Sequence, residues 1–205
     1  MTRRTTNIVV IGTGGQGALT MMEMLALAAE IADLEVRVLS RVSLARLGGA
    51  EICHIRLGPS SSPAIPIGEA DLLLTLEMSE VLRALPLARA GARAFVSMYR
   101  RLPIAVGVAG QRYPTRAEIA LALAKREVSA LFVPEHLPTE TRAHQGSRVN
   151  MAMLGVLCGA VDLLPHPTLE EAITLRLPRF AEQNLQTFAA GWRFARKVPQ
   201  ESPPT

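Results

Sequence analysis

Short apolar runs alternate with amphipathic segments through residue 133, and beyond it the apolar positions recur at helical spacing only. Within Asn7–Ile11 the four apolar residues Ile8 to Ile11 predict a buried strand, and the breaker-free stretch Ala18–Ala32 predicts a helix. Leu34–Ser40 predicts a second strand. After the polar loop 41–49, Ala50–Gly58 alternates, setting Ile52, His54 and Arg56 on one face and Cys53, Ile55 and Leu57 on the other. Ala70–Leu76 is an unbroken apolar run of the kind found in central parallel strands. Glu77–Gly91 then predicts a helix, Ala92–Met98 a strand, Thr115–Glu127 a helix opened by a Thr115/Glu118 capping box, and Ser129–Pro134 the last parallel strand.

Three helices are predicted beyond that point: Ser147–Leu164, Thr168–Leu177 with a second capping box (Thr168, Glu171), and Arg179–Lys197. In the last, Ala181, Leu185, Phe188, Trp192 and Ala195 make one apolar stripe. The pattern predicts an α/β fold: a Rossmann-like, doubly wound, mostly parallel sheet with a C-terminal helical extension. One domain is expected over 1–198, its helical part at about 146–198, followed by a disordered tail at 199–205.

The turn between the first strand and helix is the first candidate for chemistry. Gly12, Gly14 and Gly17 fit G-x-G-x-x-G: a tight turn, a close approach and helix-on-strand packing, with a helix N-terminus suited to an anion. The same glycines also serve a ligand-free βα turn. A dinucleotide binder places Asp or Glu at the end of its second strand to hold the ribose hydroxyls, and here that end reads Leu39-Ser40-Arg41. This argues against NAD and leaves NADP as an alternative, through Ser40 and Arg41. The helix after the turn carries only Glu23 and Glu30 as charges, so more of it must be covered than its own sheet accounts for, and a neighbouring subunit is the expected cover.

Composition narrows the classes. Twenty-two basic and 18 acidic residues leave a net charge of +4, spread along the chain, and aromatics are 4%, which does not describe a nucleic-acid surface. Cys53 and Cys158 are far apart with no C-x-x-C pair, and His136, His144 and His166 lack ligand spacing, so no metal or cluster is expected on this chain. With no signal-peptide pattern and no apolar stretch of bilayer length, a soluble cytoplasmic protein is expected.

The turn is more specific than its three glycines, because Gly15 and Gln16 make it G-x-G-G-Q-G. Together with several later motifs it resembles the gamma-type subunit of 2-oxoacid:ferredoxin oxidoreductases, the pyruvate/ketoisovalerate gamma family. In indolepyruvate:ferredoxin oxidoreductase this piece is called the beta subunit. The motifs are Gly48-Gly49 before a strand ending His54-x-Arg56, "LEMSEVLRAL" after the central strand, "RYPT" at Tyr113, "RVNMAMLG" with Asn150, and "EQNLQTFAAG" with Asn184. One departure is Leu47 where the family has Arg directly before Gly-Gly; Arg46 stands one residue earlier. The resemblance implies an accessory subunit, inactive alone, of a complex that oxidatively decarboxylates a 2-oxoacid, here an aromatic one, to an acyl-CoA. It implies thiamine diphosphate, magnesium and iron–sulfur clusters in partner subunits, CoA as co-substrate, and ferredoxin or another acceptor reached through the partner.

No catalytic residue is expected on this chain. Gly12, Gly14, Gly15, Gln16 and Gly17 are the candidates for CoA or anion contact or for close packing, and Arg46, His54, Arg56, Glu77 and Asn150 for the substrate and CoA side. Each has a plainer alternative. His54 and Arg56 are otherwise a solvated or interface-paired face, and Asn150 a helix cap. Glu77 earns its place by following a strand's carboxyl end, where open α/β sheets bind ligands. An NADP-dependent reductase and an assembly module of another α/β family are the competing readings.

Overall fold

The apolar quartet Ile8–Ile11 lies at the centre of a six-stranded sheet in the computed structural model, which describes residues 4–42, 49–100, 112–135, 137 and 149–198. The strands are β1 (Thr6–Thr13), β2 (Val36–Val42), β3 (Ala50–Leu57), β4 (Ala70–Thr75), β5 (Ala88–Ser97) and β6 (Ser129–Val133), in the order β2-β3-β1-β4-β5-β6. Pairings β1–β4, β4–β5 and β5–β6 are parallel, whereas β3 runs antiparallel to both β1 and β2. The fold is therefore α/β as expected, with a mixed sheet. The predicted tail 199–205 and the loop residue Arg46 lie outside the described residues.

β1 reads as a continuous apolar run because both of its faces are covered. Ile8 and Val10 face one core with α1 (Ala18–Ile31), α4 (Val149–Ala160), α5 (His166–Arg176) and α6 (Ala181–Lys197). Val9 and Ile11 face the other, with α2 (Val81–Ala84) and α3 (Arg116–Ala124). On the first face α1 covers β1, β2 and β3, and α4 covers β4 and β5. None of the described helices is long and apolar enough to cross a membrane.

Three local expectations change. Glu77–Gly91 is not one helix: α2 is a single turn, a 3-10 turn at Leu85–Leu87 follows, and β5 begins at Ala88. Pro86 lacks the N–H a continuing helix needs, and Gly91 sits inside the strand at φ 73°. The second capping box does not form, because α5 starts at His166 behind Pro165 and Thr168 Oγ1 donates to the Pro165 carbonyl instead. The Thr115/Glu118 box does form, and its hydrogen bonds hold the Glu118 carboxyl down to about 2.

The cover of α1 is also different from the expectation. Met21, Met24, Leu25 and Ala28 are fully buried within this chain, under the sheet on one side and α4 and α5 on the other. Glu23 is paired with Arg176 of α5, Nη2 to Oε2 at 2.6 Å. The chain's own C-terminal helices supply what a neighbouring subunit was expected to supply.

Those helices are held by backbone contact. A methyl group on Gly155 would come within 2.0 Å of the Phe188 carbonyl oxygen, one on Gly191 within 2.0 Å of the Ala152 oxygen, and one on Gly159 within 2.7 Å of the Trp192 oxygen. The face of α6 against α4 is thus made by Asn184, Thr187, Phe188, Gly191 and Ala195, rotated from the predicted stripe, with Trp192 only half-buried. Small residues win there because they let the two backbones touch.

On the opposite face, β3 carries a buried His54 whose Nδ1 accepts the Ile65 N–H at 2.9 Å. Arg56, two residues on, donates from Nε to Asn7 Oδ1 at 2.9 Å and from Nη1 to the Ser62 carbonyl at 3.0 Å. Both side chains hold down the loop 59–65. Burial, and then the charge of Arg41, push the His54 imidazole below its usual pKa.

Two predictions follow from this packing. Gly191→Ala should destabilise the chain by about 3 kcal/mol or more, since neither backbone can retreat; an unchanged urea midpoint would contradict the crossing. His54 binds its proton less readily folded than unfolded, so stability is present above the unfolded value of about 6.5 and falls as pH drops below it. His54→Asn, which keeps an acceptor for the Ile65 N–H, should flatten urea stability between about pH 7 and pH 5 relative to the parent chain. Parallel curves for the two proteins would rule out His54 as the source.

Candidate functional site

The glycine turn is closed from within. Thr13 N–H donates to Gln16 Oε1 at 2.7 Å, Gly14 N–H to the Gly49 carbonyl at 2.9 Å, and Gln16 N–H to the Thr13 carbonyl at 3.1 Å. Gln16 is buried, and its Nε2 reaches the Leu76 carbonyl at 3.4 Å. That bond joins the turn to the carboxyl end of β4. The crevice between β1 and β4 is where ligands enter such sheets, because the chain leaves β1 towards one side and β4 towards the other. The Gln16 amide spans it.

The glycines of the turn differ in what requires them. Gly12 faces Gln16, since a methyl group there would stand 2.9 Å from Oε1. Gly17, at φ 87°, caps α1 in the left-handed region, and a methyl group on it would stand 2.4 Å from Asn150 Nδ2. Gly15 also has positive φ (88°) and is exposed with open space around it. Gly14 has only an ordinary contact, 3.8 Å to the Gly49 oxygen, so nothing described in this chain requires glycine there.

Beside the turn, the residues after β4 form a buried polar knot. Glu77 has no solvent exposure, and its Oε2 accepts from Ser79 N–H at 2.8 Å, Ser79 Oγ at 2.6 Å and Glu80 N–H at 3.2 Å. Tyr113 donates its hydroxyl to Glu77 Oε1. Burial, and then that bond to a carboxylate, raise the Tyr113 phenol above its usual pKa, so it remains a donor. Glu80 is buried too, and burial raises its carboxyl against the pull of Arg83, whose Nε lies at 3.0 Å. Thr13 and Thr75 end β1 and β4 on the face shared with Ile11 and Leu73, and their buried Oγ1 atoms have no hydrogen-bond partner among the described residues.

Of the candidates read from the sequence, the structure brings Gly12, Gly14, Gly15, Gln16, Gly17, Glu77 and Asn150 to one edge of the sheet. Asn150 sits buried at the start of α4, against Gly17, with its Oδ1 accepting the Met151 N–H at 2.9 Å. His54 and Arg56 are not brought there. β3 is antiparallel, so His54 pairs with Val9 and Arg56 with Asn7, and Arg56 is about 17 Å along the strand from Gly12. Arg46 lies outside the described residues.

Sequence reasoning missed Glu51, and it named Gly49 and Tyr113 as motif residues without placing them in the site. Glu51 faces Gly12 across the β1–β3 ladder, and burial raises its carboxyl. Its signal was present, as an acid at the start of an alternating strand that follows Gly48-Gly49. The bond from Gly14 to Gly49 could not be read from spacing.

The ribose test also changes. Because β3 stands between β1 and β2, the Ser40–Arg41 end is two strand spacings, about 10 Å, from the strand that leads into the turn. Metal ligation fits no better: among the described residues no group of three His, Cys, Asp or Glu is placed to hold an ion. Both cysteines are buried, and burial first of all pushes each thiol up to about 12, against the thiolate a cluster requires.

Comparison with known proteins gives the family and the fold. A protein of Archaeoglobus fulgidus named indolepyruvate oxidoreductase subunit IorB is 31% identical over 195 residues, 92% of this chain and 94% of that protein. The keto/oxoacid ferredoxin oxidoreductase gamma subunit of Geobacter sulfurreducens superposes with a TM-score of 0.67 at 18% identity, covering 94% of this chain and 99% of that one. A 2-oxoglutarate:ferredoxin oxidoreductase from Magnetococcus marinus gives 0.67 at 19% identity, covering 98% of this chain and 32% of the longer one. The family model described as pyruvate ferredoxin/flavodoxin oxidoreductase matches residues 7–194, and the chain belongs to that family.

Proposed function

We propose that this chain is the accessory, non-catalytic subunit of a cytoplasmic thiamine-diphosphate-dependent 2-oxoacid:ferredoxin oxidoreductase. Its substrate would be an aromatic 2-oxoacid such as indolepyruvate, converted by oxidative decarboxylation to an acyl-CoA. Thiamine diphosphate, magnesium and the iron–sulfur clusters would reside in partner subunits, and electrons would leave through them to ferredoxin. The observation that carries this reading is the self-closed glycine turn. The backbone of the second glycine approaches the pyrophosphate in a dinucleotide fold, and here its N–H is committed to the Gly49 carbonyl. A module with that turn closed is suited to buttressing a partner, not to carrying hydride on a nicotinamide. Near-complete mutual coverage with a protein named for indolepyruvate supports the aromatic substrate.

On this reading the carboxyl edge, with Gly15 open at its tip, is the part offered to the catalytic partner and to CoA. A tagged chain co-expressed with a candidate thiamine-binding partner should form a complex that reduces a viologen dye with indolepyruvate and CoA, while the chain alone does not. Saturable NADPH binding by the isolated chain, or oxidation of 2-oxoacid without a partner, would defeat the proposal. Preference for pyruvate over indolepyruvate would defeat its substrate assignment alone.

The turn itself separates packing from contact. Gly17→Ala should lower stability by about 2 kcal/mol, because it combines a left-handed backbone with a clash against Asn150. Gly14→Ala should change it by under about 1 kcal/mol, in either direction. Thermal unfolding of both variants checks the order, and equal losses would contradict the closed-turn geometry.

A further inference from the structure

The amino edge of the sheet, at the far end of β1 from the glycine turn, holds a cavity of about 660 Å³. Thr6 and Thr13 bound β1, so the two ends are about 23 Å apart at the usual rise of a strand. The volume lies within the range of small-molecule sites. Its lining is mixed: Leu34, Leu57 and Leu169 give an apolar side, Thr6 and Asp162 a polar one, and Trp192 contributes an indole that the α4–α6 crossing leaves half-buried.

The rim is charged and predominantly cationic. Arg196 lies over the Trp192 ring at 5.1 Å and makes only a long contact, 3.5 Å, with the highly exposed Asp162. Arg4 is largely exposed and likewise 3.5 Å from Asp71, whose carboxylate already accepts from Arg89 at 2.7 Å and from the Asn7 N–H at 2.8 Å. Two loosely held guanidinium groups therefore stand over a half-open cavity with an aromatic wall and one leucine-lined side. His166 completes that wall, its ring 5.3 Å from Trp192 in an edge-on arrangement.

We infer that this cavity is a binding site for a small aryl-alkyl carboxylate, the ring entering against Trp192 and the carboxylate meeting Arg4 and Arg196. Guanidinium is suited to a carboxylate by its planar paired donors, and each exposed ion pair it now makes is weak enough to be exchanged. The site is independent of the reading given to the glycine turn.

Trp192 is the only tryptophan in the chain, so its fluorescence reports on this cavity alone. Titration of the full chain with phenylacetate should give a saturable change in emission and a rise in melting temperature. Benzyl alcohol, of the same shape without the charge, should bind about tenfold more weakly, as should phenylacetate to the double variant Arg4→Gln, Arg196→Gln. Both arginines are exposed, and an unchanged melting temperature without ligand checks that the variant is folded. Absence of saturation, equal affinity for the alcohol, or full affinity in the double variant would each overturn the assignment.

Discussion

The architecture depends on one backbone-to-backbone contact, the crossing of α4 and α6 at Gly155 and Gly191. With carbonyl oxygens standing where side chains would begin, the two helices approach as closely as their main chains allow. That closeness fixes the position of α4 over β4 and β5, and of α5 alongside α1. α4 in turn delivers Asn150 onto Gly17, at the cap of α1. A methyl group at the crossing would therefore disturb the far edge of the sheet as well as the helical layer. Interiors packed to crystal density transmit such displacements with little absorption.

At the carboxyl edge a dinucleotide-type turn has several of its N–H groups met from within the chain. A free N–H at that turn is an offer of a hydrogen bond, and a buried one must be met. In a nucleotide-binding protein the phosphate meets it. Here the Gln16 amide and the Gly49 carbonyl do, and Gln16 also ties the turn to β4. Insertion of the antiparallel β3 separates β2 from β1 and sets the end of β2 about 10 Å from the strand that leads into the turn. Both changes act on parts a nicotinamide cofactor would need, and they arise from different stretches of chain.

Much of the fold was legible because burial on two faces leaves a continuous apolar run, as in Ile8–Ile11 and Leu72–Leu74, while amphipathic helices leave a periodic one. Direction was not legible: the alternation of Ala50–Gly58 is the same whether β3 runs with β1 or against it. That ambiguity hid where His54 and Arg56 lie, because an antiparallel strand carries its last residues away from the turn. The Glu77–Gly91 segment misled because helix-forming residues surround Pro86. The self-covering of α1 could not be seen at all, since hydropathy states that a surface is buried and not by what. Gly12, Gln16, Gly17 and Asn150 were legible as a group through the family motifs, and the hydrogen bonds that explain them needed coordinates.

The glycines of the turn now divide by cause, and the division bears on function. Gly12 and Gly17 are required by atoms of this chain, at 2.9 Å and 2.4 Å from where a methyl group would begin. Gly15 needs its positive φ but is bordered by open space, and Gly14 is required by nothing described. A turn shaped only for its own packing would show the first kind throughout. At the tip Gly15 is exposed and Gly14 half-buried, with the Gly14 N–H held by the Gly49 carbonyl, and the same edge carries the Glu77–Tyr113 pair. The inner half of the motif is thus explained by the fold, and in its outer half only the positive φ of Gly15 is.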